Sequence, residues 1–370
     1  MKEKLILFHP AIAPYRIDFF NSLNACFDAT FYFEFGDALE QSFEQERLIA
    51  GLTFSPRYLR RGFLGIKNLR LQALSILRRE RPAMVFCSEF NLMGILLLAY
   101  KLLYDRKLRI FTICDDSRDI AASYSLPKKL LRAFLTRFYT GVILPSTDTV
   151  DWYATRYPAL TRKFLFFPII QKEDPFREKL EASLPKAREL FEESRLKGKR
   201  TILFVGRLID IKNLSFLLAC FATNAATYPD AVLLLVGEGD KEDELRDLAK
   251  RLCIAEKVLF AGKKQGEALY AYYNLGQIFV LPSYLERFGA VVNEALLAGC
   301  YTLCSEAAGA SCLIHEKNGA IFNPFDKTDL TGKLGKALAN TPPLEQVGDK
   351  PSRMGKSYER YFNELLSDLR

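Results

Sequence analysis

The stretch LERFGAVVNEAL, residues 285–296, carries two carboxylates, Glu286 and Glu294, with seven residues between them. Eight steps of about 100° turn a straight helix about 80° beyond two full turns, so the acids would stand on neighbouring faces. Gly289 is a poor residue for a helix interior. The pattern therefore predicts a helix that starts at Gly289 or Ala290 and leaves Glu286 in the loop before it. Free backbone N–H groups at such a helix start suit a phosphate. Carboxylates on both sides of a phosphate do not bind it. They suit hydroxyl groups that flank it, since an ionised carboxyl only accepts hydrogen bonds.

Other chemistry-bearing residues follow short apolar runs. GRLIDIKN (206–213) supplies Gly206 for a turn and two cations, Arg207 and Lys212. Paired cations suit a diphosphate, the guanidinium as a fork and the ammonium as a point charge; alone they read equally as two surface bases. AGKKQGE (261–267) offers Gly262 and Lys263 in a loop where backbone can approach a flat ring. In the first half, His9 follows KLILF, Glu89 follows AMVFCS, and Asp115 and Asp116 follow RIFTIC. The two aspartates read either as groups facing a site or as a helix cap, with Asp116 or Ser117 capping.

The elements that position these residues alternate. KLILF (4–8), TFYFEF (30–35), AMVFCS (83–88), RIFTIC (109–114) and GVILPS (141–146) read as strands separated by helical patterns. QKEDPFREKLEASLPKARELFEESRLKGKR (171–200) is charged and poor in large apolar residues, a linker with some helix. The alternation resumes with TILFVGRL (201–208), AVLLLVGEG (231–239), KVLFAG (257–262) and IFVLPS (278–283). Short apolar strands alternating with helices imply parallel sheets covered on both faces. The fold class expected is α/β, two doubly wound Rossmann-like domains facing across a cleft: residues 1–171, a linker 172–198, residues 199–350, and a C-terminal helix in 351–370 that packs back on the first domain. Ligands of such sheets bind outside the carboxyl ends of the strands.

The totals agree. The chain of 370 residues is 49% hydrophobic, enough for two cores. Eight cysteines without a CxxC pair, and only His9 and His315, read as buried thiols in a reducing cytosol rather than a zinc site. LILF is too short for a signal peptide, and LMGILLLAY (92–100) too short to span a bilayer. Residues 1–171 hold 24 Lys and Arg against 16 Asp and Glu, while residues 172–370 are balanced at 28 each. Eight bases and one acid lie in 57–82, leucines and isoleucines among them at helical spacing. That suggests an anionic membrane surface as partner, or an ordinary solvated face, and no nucleic acid.

LFVGRLIDIKN, LLLVGEGD, VLFAGKKQ, VLPSYLERFGAVVNEALLAG and NGAIFNP, in this order over residues 201–325, resemble the C-terminal domain of the family 4 retaining glycosyltransferases, which have the GT-B fold and a Glu-x7-Glu motif. The resemblance implies a nucleotide-sugar donor, UDP-linked ahead of GDP-linked, and a glycan or lipid-linked acceptor, with retention at the anomeric carbon. It implies that Gly206, Arg207 and Lys212 meet the diphosphate, that Glu286 meets the donor sugar, and that Glu294 meets the ribose. Phe288, Gly289 and Ala290 would offer backbone to phosphate and sugar, and Gly262 and Lys263 would hold the base. No Asp-x-Asp motif is present, so no metal or other cofactor is expected. The first domain departs from the family pattern. FHPAIAPYRIDFF stands where many relatives have a glycine-rich loop, with Arg16 expected to point to the cleft, and DDSRD stands where many have a histidine. Asp115 or Asp116 then takes that role, with Glu89 and His9 as further cleft candidates. The expected function is sugar transfer in bacterial surface polysaccharide synthesis (lipopolysaccharide, capsule or exopolysaccharide), in the cytoplasm and peripheral on the inner membrane face. A nucleotide-sugar 2-epimerase and a catalytically silent binding module are the competing readings.

Overall fold

The computed structural model describes residues 2–35, 45–60, 62 and 69–370. Among them, seven strands make one sheet: β1 (Lys4–His9), β2 (Asp28–Phe33), β3 (Arg57–Tyr58), β4 (Met84–Ser88), β5 (Arg109–Ile113), β6 (Gly141–Leu144) and β7 (Phe164–Phe166), in the order β3-β2-β1-β4-β5-β6-β7. Six more make a second: β8 (Arg200–Val205), β9 (Ala231–Val236), β10 (Val258–Gly262), β11 (Ile278–Leu281), β12 (Tyr301–Ser305) and β13 (Gly319–Phe322), in the order β10-β9-β8-β11-β12-β13. Every recorded pair is parallel. Strands buried on both faces need apolar residues at consecutive positions. MVFCS and AVLLLV satisfy this and are buried at every position. Each sheet reverses its winding once, between β1 and β4 and between β8 and β11, which makes each a Rossmann-like, doubly wound sheet.

The chain divides into two compact units. One runs to Gln171 and includes Tyr361–Arg370; the other is Lys172–Arg360. In the first, the final helix (Tyr358–Leu369) sets Phe362 against Phe19 and Phe167, at centroid distances of 6.4 and 6.1 Å, and the Leu369 carbonyl accepts from Arg109 at 2.7 Å.

Residues 172–198, expected as a linker, fold into helices Glu173–Ala182 and Leu184–Glu193 within the second unit. Phe176 and Leu180, then Ala187 and Phe191, repeat at four-residue spacing and are buried; Asn274 donates to the Leu180 carbonyl at 2.8 Å. The sparse apolar residues are enough because they fall on one stripe. The basic stretch 57–82 is not one amphipathic helix: β3 is followed by residues of which 61 and 63–68 lie outside the described set, and a helix spans only Gln72–Glu80. Arg70 is buried and gives its guanidinium to the carbonyls of Glu34, at 2.9 Å, and Arg60. β7 and β12 were not anticipated, and β2 lies two residues earlier than expected.

Candidate functional site

The loops at the carboxyl ends of β8, β9 and β10 are tied backbone to backbone. Gly206 N–H donates to Val236, Leu208 N–H to Glu238, and Gly237 N–H to Gly262, at 2.9–3.0 Å. Gly237 has φ +150°, and a Cβ there would overlap the Gly206 carbonyl oxygen; one on Gly239 would overlap that of Leu208. Only glycine lets these turns pack so closely. They set the Gly206–Arg207 turn and the Gly262–Lys263 loop on either side of the turn after β9. Arg207 is exposed, and Lys263 stands 3.2 Å from the Glu238 carboxylate.

At the reversal of this sheet, Lys212 Nζ donates to Glu286 Oε2, and Ser283 Oγ donates to the same oxygen at 3.3 Å. The loop after β11 is also held to the one after β8, because Tyr284 N–H donates to Ile211 at 3.1 Å and the Tyr284 hydroxyl to Asp210. Gly289 has φ +91°, and a Cβ on it would lie 2.6 Å from the Leu281 side chain. The helix that follows runs Val291–Leu297, with Ala290 as its N-cap, so Glu286 is in the loop and Glu294 in the helix. Phe288 is buried, and its carbonyl accepts from Ala310 N–H at 2.8 Å. Glu294 Oε2 accepts from the fully buried Tyr273 hydroxyl at 2.6 Å. Burial and that carboxylate push the Tyr273 phenol well above its ordinary pKa, so the hydroxyl stays a donor. Neither Tyr273 nor Ser283 stood out in the sequence; only Ser283, three residues before Glu286, left a local signal.

The first unit gathers a second set at its own reversal. His9 closes β1, Glu89 follows β4 with φ +60°, and Asp115 follows β5. Arg16 is buried and donates to Asp115. His9 Nδ1 lies 2.8 Å from the Ala11 carbonyl, and burial first, then Arg16, lowers its pKa to about 4. Asp115 N–H donates to Glu89 Oε1 at 3.2 Å. The structure separates the two aspartates. Asp115 is partly exposed, whereas Asp116 is fully buried and accepts from Tyr124 at 2.8 Å and from Arg132. Arg132 also reaches the Tyr153 hydroxyl at 2.6 Å and lies 3.7 Å from Glu89. The helix cap is Ser117, which accepts from Ile120 N–H. Glu89, Cys114 and Asp116 have ligand atoms within 4.8 Å of one another, but Arg132 already offsets their charge, and burial and the two carboxylates hold the Cys114 thiol protonated. Arg132, a lone base in LLRAFL, does not stand out in the sequence, nor do Tyr124 and Tyr153.

Residues 186–357 match the sequence model of the family described as glycosyl transferases group 1. An uncharacterized glycosyltransferase of Methanocaldococcus jannaschii is 30% identical over 164 residues, 44% of this chain and 41% of that protein. The chain thus spans less than half the length of the curated relatives at the head of the comparison. Among solved structures, the Anabaena protein HepE in complex with UDP and glucose superposes with a TM-score of 0.73 at 14% identity, over 99% of both chains. The lipopolysaccharide outer core galactosyltransferase WaaB, in its apo form, does so with 0.71 at 13% identity, also over 99% of both. Along residues 186–357 the chain is similar to the group 1 glycosyltransferases, and along nearly its whole length it has the GT-B fold of the solved ones, two Rossmann-like units.

Proposed function

We propose that the protein is a retaining glycosyltransferase that takes a sugar from a nucleotide-sugar, UDP-linked ahead of GDP-linked, and passes it to a glycan or lipid-linked acceptor in bacterial surface polysaccharide synthesis. One observation carries this reading: the charged pair Lys212–Glu286 at the reversal of the second sheet, with Gly289 and the Tyr273-held Glu294 just beyond it. A nucleotide-sugar has a ribose, a diphosphate and a hexose in line. Glu294 takes the ribose hydroxyls, Arg207, Lys212 and the backbone from Gly289 take the diphosphate, and Glu286 takes the hexose hydroxyls. The loop of Gly262 and Lys263 takes the base. The UDP and glucose held by the Anabaena protein, and the outer-core galactosyl transfer named for WaaB, support the donor and acceptor classes.

When the bond from the anomeric carbon to the diphosphate oxygen breaks, negative charge grows on the diphosphate and positive charge on the sugar ring. Arg207 and Lys212 stabilise the first without a metal ion. We assign the first unit to the acceptor, with Asp115 and Glu89 as its charge-facing carboxylates and His9 and Arg16 beside them. Asp116, buried under Arg132, is given a structural part instead.

The test is a melting panel with UDP, GDP, ADP and CMP on the parent chain and on Glu294→Ala. A ligand at a hundred times its dissociation constant adds about 2.7 kcal/mol. A shift with UDP that the variant loses supports the donor site. A shift that survives in the variant, or none with any nucleotide or UDP-sugar, overturns it. Chelator that leaves turnover unchanged supports the metal-free reading, and a product of inverted configuration overturns retention.

A further inference from the structure

Helix Leu126–Phe138 has two unlike faces. Its inner face buries Leu135 and sends Arg132 to Asp116 and Tyr153. Its outer face leaves Leu126, Leu130 and Phe134 at 66, 62 and 54% exposure. Residues four apart follow one another along a helix surface, so these three form a single apolar line. Phe134 is held edge-on against Phe138, with centroids 5.1 Å apart. A line of large apolar residues at this exposure, on one helix, is unlike the scattered apolar residues of an ordinary surface.

The charges on this helix have one sign. Lys129 and Arg137 flank the apolar line on the same helix, which holds no acidic residue, while Lys128 is turned to the other side, 5.1 Å over the Tyr124 ring. The neighbouring helix Leu92–Leu103 holds no acid and ends in the exposed Leu102, Leu103 and Tyr104; its Lys101 donates to the Leu108 carbonyl at 2.7 Å and interacts with Asp105 just beyond, so among the described residues the unmatched cations are those of helix Leu126–Phe138. The two helices pack closely: Leu97, Leu98, Leu135 and Tyr139 share one core cluster, and Gly94 leaves room for the Tyr139 hydroxyl. A second copy of the chain would set these cations against each other across the apolar line. A partner for this face has to be apolar and anionic together. An acyl boundary under anionic headgroups is both, and a helix with such faces lies in the plane of that boundary with its apolar side inserted about 5–10 Å.

We propose that helix Leu126–Phe138 is the membrane-docking element of this protein, inserting Leu126, Leu130 and Phe134 into an anionic lipid leaflet while Lys129 and Arg137 meet the headgroups. It deepens the lipid-linked side of the function proposed above. The helix that touches lipid would be the one whose Arg132 sets the carboxylates at the ends of β4 and β5. The docking itself requires no transferase activity, since it rests on exposure and charge.

The experiment is co-sedimentation of the full chain with vesicles of phosphatidylcholine alone and of phosphatidylcholine with phosphatidylglycerol, at low and high salt. Partition favouring the anionic vesicles is expected. Leu126→Ser/Leu130→Ser/Phe134→Ser should lose it at least tenfold at both salt concentrations, and Lys129→Gln/Arg137→Gln should weaken it at low salt only. In Phe134→Trp made with Trp152→Phe, so that the introduced indole is the one tryptophan, emission should shift to the blue on anionic vesicles and be quenched by lipids brominated in the acyl chain. The UDP melting shift, measured on the same preparations, reports folding and donor binding separately, so failure of docking and failure of the transferase reading are distinguishable. The proposal is overturned if the serine variant binds as the parent does, if the introduced tryptophan stays unquenched, or if the parent sediments as a dimer that the serine variant dissolves.

Discussion

Arg132 holds carboxylates that come from two strand ends, Asp116 after β5 and Glu89 after β4. An arginine so placed stabilises little by itself, but removing it leaves Asp116 buried without its cation. Arg132→Met should destabilise by about 3–5 kcal/mol, read from the urea midpoint, and Asp116→Leu added to it should recover a large part. If the single variant costs under about 1 kcal/mol, Arg132 is not what compensates Asp116. His9 makes a prediction about acid. Its folded pKa, about 4, lies below the ordinary imidazole value of 6.5, because burial and Arg16 disfavour the charged ring. The unfolded chain therefore binds the proton first. Stability contributed by neutral His9 is whole above pH 6.5 and is lost as pH falls toward 4. Arg16, Asp115 and the Ala11 carbonyl face the ring, and Asp115 opposes the shift. At about 1.4 kcal/mol per pH unit the bound is about 3 kcal/mol, less for the ring's partial exposure. In His9→Asn the slope of stability against pH between 4 and 6.5 should flatten; an unchanged slope assigns it to other groups.

At the scale of elements, the close approach of the turns after β8 and β9, part of the proposed donor site, depends on glycines. Gly237→Ala forces a Cβ onto the Gly206 carbonyl, so the turn carrying Arg207 must move. A loss of more than about 2 kcal/mol is expected, together with a weaker UDP response. Gly262, at φ +70° with open space around its missing Cβ, should cost only about 1 kcal/mol as alanine. Equal effects at the two sites would mean that backbone conformation rather than close approach governs these turns. Long apolar runs such as AVLLLV were legible as strands because burial on both faces leaves no alternation to misread. FLF was not, being short, and YTLCS was not, being mixed with polar residues that the sheet interior accepts: Thr302 and Ser305 are fully buried. β3 is two residues that only their pairing with Tyr32 and Phe33 makes a strand.

At the scale of the molecule, Lys172–Arg360 holds every residue assigned to the donor. That segment expressed alone should fold in one transition and keep the UDP-induced shift, while the remainder should show none. A shift that needs the whole chain would move part of the donor site to the first unit. Among the described residues no helix is long and apolar enough to cross a membrane.

The sequence by itself determined the alternation of strand and helix in two halves, and the order of Gly206, Lys212, Glu286 and Glu294 along the second. Those signals are local: burial of a strand is written in consecutive residues, and a turn or helix start in the few around it. Only the tertiary structure decided that Lys212 and Glu286, 74 positions apart, are a pair, and that Tyr273 anchors Glu294. It alone placed residues 173–193 in the second unit, and it alone divided Asp115 from Asp116. Adjacent aspartates look alike in sequence. Which one is exposed depends on a guanidinium arriving from a helix 16 residues on, and no local pattern records where that side chain ends.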